Sequence, residues 1–493
     1  MFQLPGEGRI SCWDKVAVKV DDVLGNEVDS KSSLCQLAEG GSNLVCATLH
    51  PLEMAIAQRN LLYEASPLLG KYLQVGQLKR IASGETPYYE LLQQEYQNLL
   101  RVQQNPDPAT GGVKRIKVLR SFQDYNADDT ETLHLIFNVE GGHAFYYGKN
   151  EHEDTSRILA NLEGFVRHPD MPRLLYLTIT HLSQNVFCNH AFGIKLFGKS
   201  EFIPRGNGLE ESGKELILKC YTGLPYQVLV DIKHMSLKAR KMLYDLRKEQ
   251  GWEGIPLIAS HIGVTGFSYQ NMPIRKLKEH EGEGCVKVVY DKPEGYLPDT
   301  LFNPTSINLY DEDIMQVLLS CGLLGISFDE RILGAEVKLH VGQKTFQKEF
   351  VSTAERELFH TAGYEAAEDD NDEEEAQESN SGIRVPFSLN THELEELHMR
   401  HMVNNIFHIV KVGQQLDGVN PWKHICVGTD YDGFIHAVKF CPNASHFKDL
   451  PEKLKGAFEK YAPEAGIDMR DADEVVQNFL FRNAHDFLAR HFA

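Results

Sequence analysis

The chain has no excess of positive charge, no CxxC pair, no long apolar run and no glycine-rich phosphate loop. Each absence removes a class of function. Against 50 Lys and Arg stand 70 Asp and Glu, a net charge of −20, which argues against nonspecific binding to nucleic acid or to an anionic membrane. Nine of the acids, with no base among them, fall in EAAEDDNDEEEAQE (365–378), so the remainder carries only −20 + 9 = −11. That run reads as part of a solvated, disordered loop over 363–383. No apolar stretch is long enough to span a bilayer, and MFQLPGEGRISCWDK at the start lacks the basic head and apolar centre of a secretory signal. The nine cysteines show no regular spacing, and several sit in apolar runs such as LVCATL and HICVGT. A disulfide framework is therefore not expected, and a reducing, cytoplasmic setting is. No Rossmann or P-loop pattern opens a strand-to-helix turn, which speaks against a nucleotide cofactor. SHIG lacks the flanking glycines of a nucleophile elbow, and no repeat of fixed period is present.

What the chain does have is a series of short, β-rich apolar runs: NLVCATLH (43–50), LHLIFNVE (133–140), LLYLTITH (174–181), VLVDIKH (228–234), PLIASH (256–261), LLGISFD (323–329) and HICVGTD (424–430). Runs that are apolar on both faces suit parallel strands covered by helices. Helical spacing between them, as in SLKARKMLYDLRKEQG and LEELHMRHMVNNIFHIVKVGQQL, favours an α/β barrel or a doubly wound sheet. The runs end on ionisable residues: His50, Glu140, His181, His234, His261, Asp329 and Asp430. In a barrel the C-terminal strand ends share one mouth, so residues from distant segments become neighbours there.

Glu140 is the informative member of the series. An ionised side chain at the end of a buried strand costs most unless a cation meets it. Glu140, His234 and His261 form a zinc-type set, two imidazoles and a carboxylate, and three protein ligands leave one position for water. Asp430, at the end of the last strand, is placed to act as general base and proton shuttle. His50 and His143 are expected in supporting roles around the site. The histidines at 392, 398, 401 and 408 are expected on a helix surface, and Asp329 is expected either to line the mouth or to pair with Arg331.

At these residues the sequence resembles the membrane dipeptidase family, the M19 metallopeptidases of the amidohydrolase superfamily. VEGGHAF resembles that family's bridging-glutamate motif, which implies that Glu140 is shared between two metals. LTITHLSQN implies His181 as a substrate-side histidine. GNGLEESGKELILKCYTGLPYQVLVDIKHMS implies His234 as a ligand, PLIASHIG implies His261 as the next, and ICVGTDYDG implies Asp430 as the acid/base. The resemblance runs from about residue 40 to the C-terminus. It implies a single (β/α)8 TIM-type, amidohydrolase-like barrel over 1–493, with insertions at 262–305 and 332–390. It further implies Zn2+, one or two divalent ions, and hydrolysis of a small peptide or amide through metal-activated water. An amidohydrolase acting on a lactone or a non-peptide amide, and a catalytically degenerate metal-binding scaffold, are the alternatives.

Two departures from the family pattern matter. The family's first strand ends in His-x-Asp or His-x-His, whereas no histidine precedes NLVCATLH here. The first strand is therefore expected to be missing, any upstream signal lost with it, and about one ion to be held tightly. Asp21 and Asp22 of KVAVKVDD are the alternative ligands. Without that strand, the edges of NLVCATLH and HICVGTD should face a gap, or a substitute segment from residues 10–22, and leave a template for homo-oligomers. The family's Arg-Asn, whose arginine can clamp a substrate carboxylate, is replaced by Ile307-Asn308, so Asn308 alone remains as a substrate-binding candidate there.

Overall fold

The computed structural model describes residues 30–58, 75–104, 115–147, 154–193, 202–280, 284–335, 346–360 and 390–493. Among these, the strands are β1 (Leu44–Leu49), β2 (Arg115–Val118), β3 (Thr132–Glu140), β4 (Leu174–Thr178), β5 (Leu229–Asp231), β6 (Leu257–Ile262), β7 (Ile274–His280), β8 (Cys285–Asp291), β9 (Leu323–Ile326), β10 (Phe346–Ser352) and β11 (Ile425–Val427).

One sheet runs in the order β1-β3-β4-β5-β6-β9-β11, with β2 paired to the first half of β3. Every ladder in it is parallel. The seven strands of that path are the seven apolar runs, and the order follows the chain without reversing. A doubly wound sheet reverses at a switch point, whereas a barrel adds each strand beside the last. The fold is therefore α/β with barrel-type winding.

The side chains confirm that the sheet curls. Ile136, Leu175, Leu229, Ile258, Leu323 and Cys426, one from each of β3, β4, β5, β6, β9 and β11, pack in a single cluster with Phe487, Leu488 and Phe492 of the C-terminal segment. On β3 the alternate residues Leu133, Leu135, Phe137 and Val139 pack outward into the main core with the covering helices. This two-residue period puts Glu140 on the same inner face as Ile136 and Asn138. β1 and β11 end the path, and no ladder joins them among the described residues. Residues 10–22, with Asp21 and Asp22, and the acidic run 363–383 lie outside the described residues.

The two expected insertions meet each other. β7 and β8 from the first, and β10 from the second, form an antiparallel sheet in the order β10-β8-β7. It packs on Leu237 and Tyr310, beside the segments that follow β5 and β6. Just beyond β10, buried Glu355 accepts hydrogen bonds on one oxygen from Asn189 Nδ2 (2.7 Å), Gly208 N (2.9 Å) and Ser236 Oγ (2.8 Å). Ser236 in turn caps the helix Leu237–Glu249 by accepting from Ala239 N. The insertion thus clamps the short segment between β5 and that helix, which carries His234. No helix among the described residues is long and apolar enough to cross a membrane.

Candidate metal centre

Glu140 closes β3 and is followed by Gly141 at φ +89°, where a side chain would come within 2.4 Å of the His143 ring. Glycine there lets His143 fold back over the strand end. His234 lies three residues past β5 with φ +66°, and Asp430 three past β11 with φ +60°. Left-handed backbone is uncommon outside glycine and costs of order 1–3 kcal/mol where the surroundings impose it. Asp432 is also left-handed, at φ +67°. It is tied down by Ser30 Oγ, Lys31 N and Ser32 Oγ at 3.1, 2.7 and 2.6 Å, which holds the Asp430 turn in place.

These elements bring three ligand atoms together. His234 Nε2 lies 3.2 Å from Glu140 Oε1, His261 Nε2 lies 3.5 Å from the same oxygen, and the two Nε2 atoms are 3.1 Å apart. Ligands about 2.1 Å from a tetrahedral ion stand roughly 3.4 Å from one another, so the triangle has the dimensions of one face of such a site. Its chemistry agrees. Glu140 Oε1 is buried and receives no hydrogen bond, an arrangement that is expensive for an anion without a cation. Burial opposes ionisation of Glu140, but His261, His181 and His234 hold it well below the usual carboxylate range. Burial keeps both ligand imidazoles neutral, pushing His261 down to about 3 and His234 well below its ordinary value. The three residues can hold a metal ion.

A second layer fixes His261. Ser260 Oγ donates to Asp231 Oδ2 at 2.6 Å and can therefore only accept from His261 Nδ1, at 2.8 Å. The Nδ1–H tautomer leaves the Nε2 lone pair facing Glu140 and His234. Asp231 also accepts from Thr178 Oγ1 and from the Lys233 and Ser260 backbone amides, while burial raises it to about 6. Ser260→Ala should weaken metal binding about 10- to 100-fold, measured by competition with a chromophoric chelator. An unchanged affinity would mean that the relay does not orient the ring.

Asp430 Oδ2 stands 3.8 Å from His261 Nε2. Burial, reinforced by Glu140 and Asp329, pushes its carboxyl well above the ordinary range against Lys233 and Arg331. His181 adjoins the group, its ring centroid 4.6 Å from that of His234. Glu140, His181, His234, His261 and Asp430 are thus gathered at one end of the sheet. Asn308 is placed differently. It is fully buried, its amide donates to the Asn303 and Ile332 carbonyls at 3.2 and 2.8 Å, and its Oδ1 has no hydrogen-bond partner.

The structure adds residues that the sequence left in the background. His50 and Glu53 come beside His181, the three forming a second group with metal-ligand dimensions. Glu53, three residues past His50, is buried, and its Oε2 lies 2.9 Å from His181 Nδ1. Lys233, in VLVDIKH, is buried. Its Nζ donates to Ile307 O at 3.4 Å, and burial lowers its pKa to about 8 against the pull of Asp430, Asp231, Glu140 and Asp329. His143 is held by Pro51 O at 2.9 Å, and burial pushes it down to about 4.

The helix histidines correct the surface expectation. Only His392 is exposed. His398 accepts from Lys439 N, His401 from Leu301 N, and His408 bridges Asp311 and Tyr296. The helix Thr391–Gly413 is enclosed on all sides over its second half, so its histidines bond inward. Asp329 pairs with Arg331 through three side-chain contacts of 3.0, 3.1 and 2.6 Å.

No family model matches the chain, and no curated protein matches it. Solved structures do. One is the dipeptidase AC, a metallopeptidase of family M19, at 13% identity over 97% of this chain and 96% of that one, with a TM-score of 0.45. A second is a metallopeptidase from Rhodobacter sphaeroides liganded with a phosphinate mimic of L-Ala-D-Ala, at 13% identity over 97% of each chain and a TM-score of 0.47. A third is the probable dipeptidase PvdM from Pseudomonas aeruginosa, at 13% identity over 81% of this chain and 78% of that one, with a TM-score of 0.46.

Proposed function

We propose that the chain is a metal-dependent hydrolase of small peptides or amides, allied to the membrane dipeptidase family. The observation that carries this reading is the triangle of Glu140 Oε1, His234 Nε2 and His261 Nε2, 3.1–3.5 Å on a side, around a buried carboxylate oxygen that no donor reaches. The five motifs that resemble the family, in its order, support it further, because their key residues meet at one end of the sheet.

A divalent ion on those three ligands, zinc by donor type, would acidify a coordinated water and polarise a substrate carbonyl. The remaining work falls to the chain's own side chains. Asp430, beside His261 but outside the ligand triangle, takes the proton from the attacking water and returns it to the leaving nitrogen. His181 donates toward the carbonyl oxygen as negative charge develops there, an electrostatic contribution of order several kcal/mol. Ile307 stands where a carboxylate-clamping arginine would be, which favours, as a second reading, substrates without a free carboxylate: lactones or non-peptide amides.

The test uses the full chain, stripped with a chelator and reloaded with Zn2+, against unprotected dipeptides, N-acyl amino acids and lactones. The expected result is turnover that disappears on stripping and returns with the ion. His234→Ala should lose this ion and all turnover, because two ligands rarely hold zinc against water. A parent that takes up the ion but turns over none of these substrates would leave the degenerate metal-binding scaffold, and one that takes up no metal would overturn the metal-dependent reading. A lactone-only activity would select the second reading.

A further inference from the structure

We infer that Lys233 is a specificity residue of the mouth, its buried ammonium receiving a free carboxylate of the substrate. On the proposed hydrolase function, from which this assignment starts, Lys233 selects acids over their amides and so decides between the two substrate readings.

Lys233 stands between β5 and His234 and is only 2% exposed. Asp430, Asp231, Glu140 and Asp329 all act on its charge, which places the ammonium among the residues of the mouth. No described carboxylate forms an ion pair with it, however. Its one hydrogen bond goes to Ile307 O at 3.4 Å, longer than an ordinary N–H···O bond, and an ammonium has three donors. The four carboxylates are engaged elsewhere. Asp231 accepts from Thr178, from Ser260 and from two backbone amides. Asp329 holds Arg331, Glu140 Oε1 faces both ligand imidazoles, and Asp430 stands beside His261.

The two buried arginines are satisfied in a way that Lys233 is not. Arg240 pairs with Asp313 and donates to three carbonyls. Arg247 donates to Tyr221 Oη and to the carbonyls of Glu253 and Ile255. An ammonium withdrawn from water with most of its donors unmet is costly. A carboxylate entering the mouth supplies what is missing, two oxygens for the open N–H groups in charge-assisted bonds. Because the ammonium feels Glu140, it lies near the ligand triangle. The carboxylate it receives is therefore one close to the bond cleaved, as in a dipeptide or an N-acyl amino acid.

The experiment compares L-alanyl-L-alanine with its C-terminal amide, using the full chain loaded with Zn2+. The parent should favour the acid in kcat/KM by about 10- to 100-fold, the range for hydrogen bonds to a charged group. Lys233→Met should bring that ratio to within a few-fold of one, the change falling on KM for the acid, whereas Lys233→Arg should keep a preference for the acid. Lys233→Gln should match Lys233→Met, which guards against misfolding of one variant, and elemental analysis should find the parent's zinc content in all three. Calorimetry with phosphinate analogues of the acid and the amide reads the same selectivity without turnover. A parent with no preference, or a Lys233→Met variant that keeps it, overturns the role of Lys233, while turnover itself upholds the hydrolase reading. If neither compound is cleaved, the peptide-hydrolase reading falls and calorimetry decides alone. Tighter binding of the acid analogue by the parent but not by Lys233→Met then sustains the assignment, and equal binding overturns it.

Discussion

Replacing Asp430 by Asn should lower turnover about 10²- to 10⁴-fold, the usual contribution of a positioned general acid–base, and leave the bound metal unchanged. Two features make this substitution informative. Asp430 lies outside the ligand triangle, 3.8 Å from His261 Nε2, so its loss removes no ligand. Its backbone is left-handed, at φ +60°, a conformation that Asn tolerates about as well as Asp and that Ala does not. A side chain on Gly433 would come within 2.2 Å of Asp430 Oδ1, so the carboxylate is already held against its own turn. The pH–rate profile of the variant should also lose one of its limbs. Asp430→Asn with turnover within a few-fold of the parent would remove Asp430 from the chemistry.

Asp313→Ala should cost about 3–5 kcal/mol of stability, the range for breaking a fully buried ion pair from one side. Arg240 Nη2 and Asp313 Oδ2 lie 3.2 Å apart, and both side chains are wholly buried. Asp313 also accepts from Tyr244 Oη at 2.8 Å and from Tyr310 N at 3.0 Å, the latter closing the N-terminus of the helix Asp311–Leu319. Removing the carboxylate strands a guanidinium and two further donors. The guanidinium matters to the site as well, since it donates to the carbonyls of Met235, Ser306 and Asn308, tying the residue after His234 to the loop that holds Asn308. Urea unfolding followed by circular dichroism should show a lowered midpoint with an unchanged slope. An apolar pair, Arg240→Met with Asp313→Leu, should recover much of the loss. A loss below about 1 kcal/mol for Asp313→Ala would mean that water reaches the pair.

How far the molecule was readable from its sequence depended on burial. β3, β4, β5, β6, β9 and β11 are buried along most of their length, so each is a nearly unbroken apolar run, while β1, at one end of the path, is apolar in sequence but leaves Cys46 and Thr48 exposed. β2, with only Ile116 buried, leaves no such trace. β7, β8 and β10 lie inside the segments marked as insertions. β8 pairs with its sequence neighbour β7 and also with β10, and only the second of these ladders joins segments far apart in sequence. Glu140, His234, His261, His181 and Asp430 were legible because they end strands. Asp231 and Ser260 lie within the same motifs, yet their part is visible only once the Asp231–Ser260–His261 relay is seen. The helix histidines were misplaced for the converse reason: HMRHMVNNIFHIV has polar residues on every face, and only the enclosing layers show that none of those faces meets water.

The order of strands in the sheet, which follows the order of the chain, sets a timetable during synthesis. Along the path from β1 to β11 each new strand finds its neighbour already made, β2 alone waiting for β3, so the sheet can grow at one edge as the chain emerges. All three atoms of the triangle are made once His261 is, although the Glu355 clamp on the His234 segment follows later, whereas Asp430 is made 430 − 261 = 169 residues later. At about 5–20 residues per second, that interval is roughly 8–34 s. On the proposed function, the three candidate ligands of a nascent chain exist before Asp430 does.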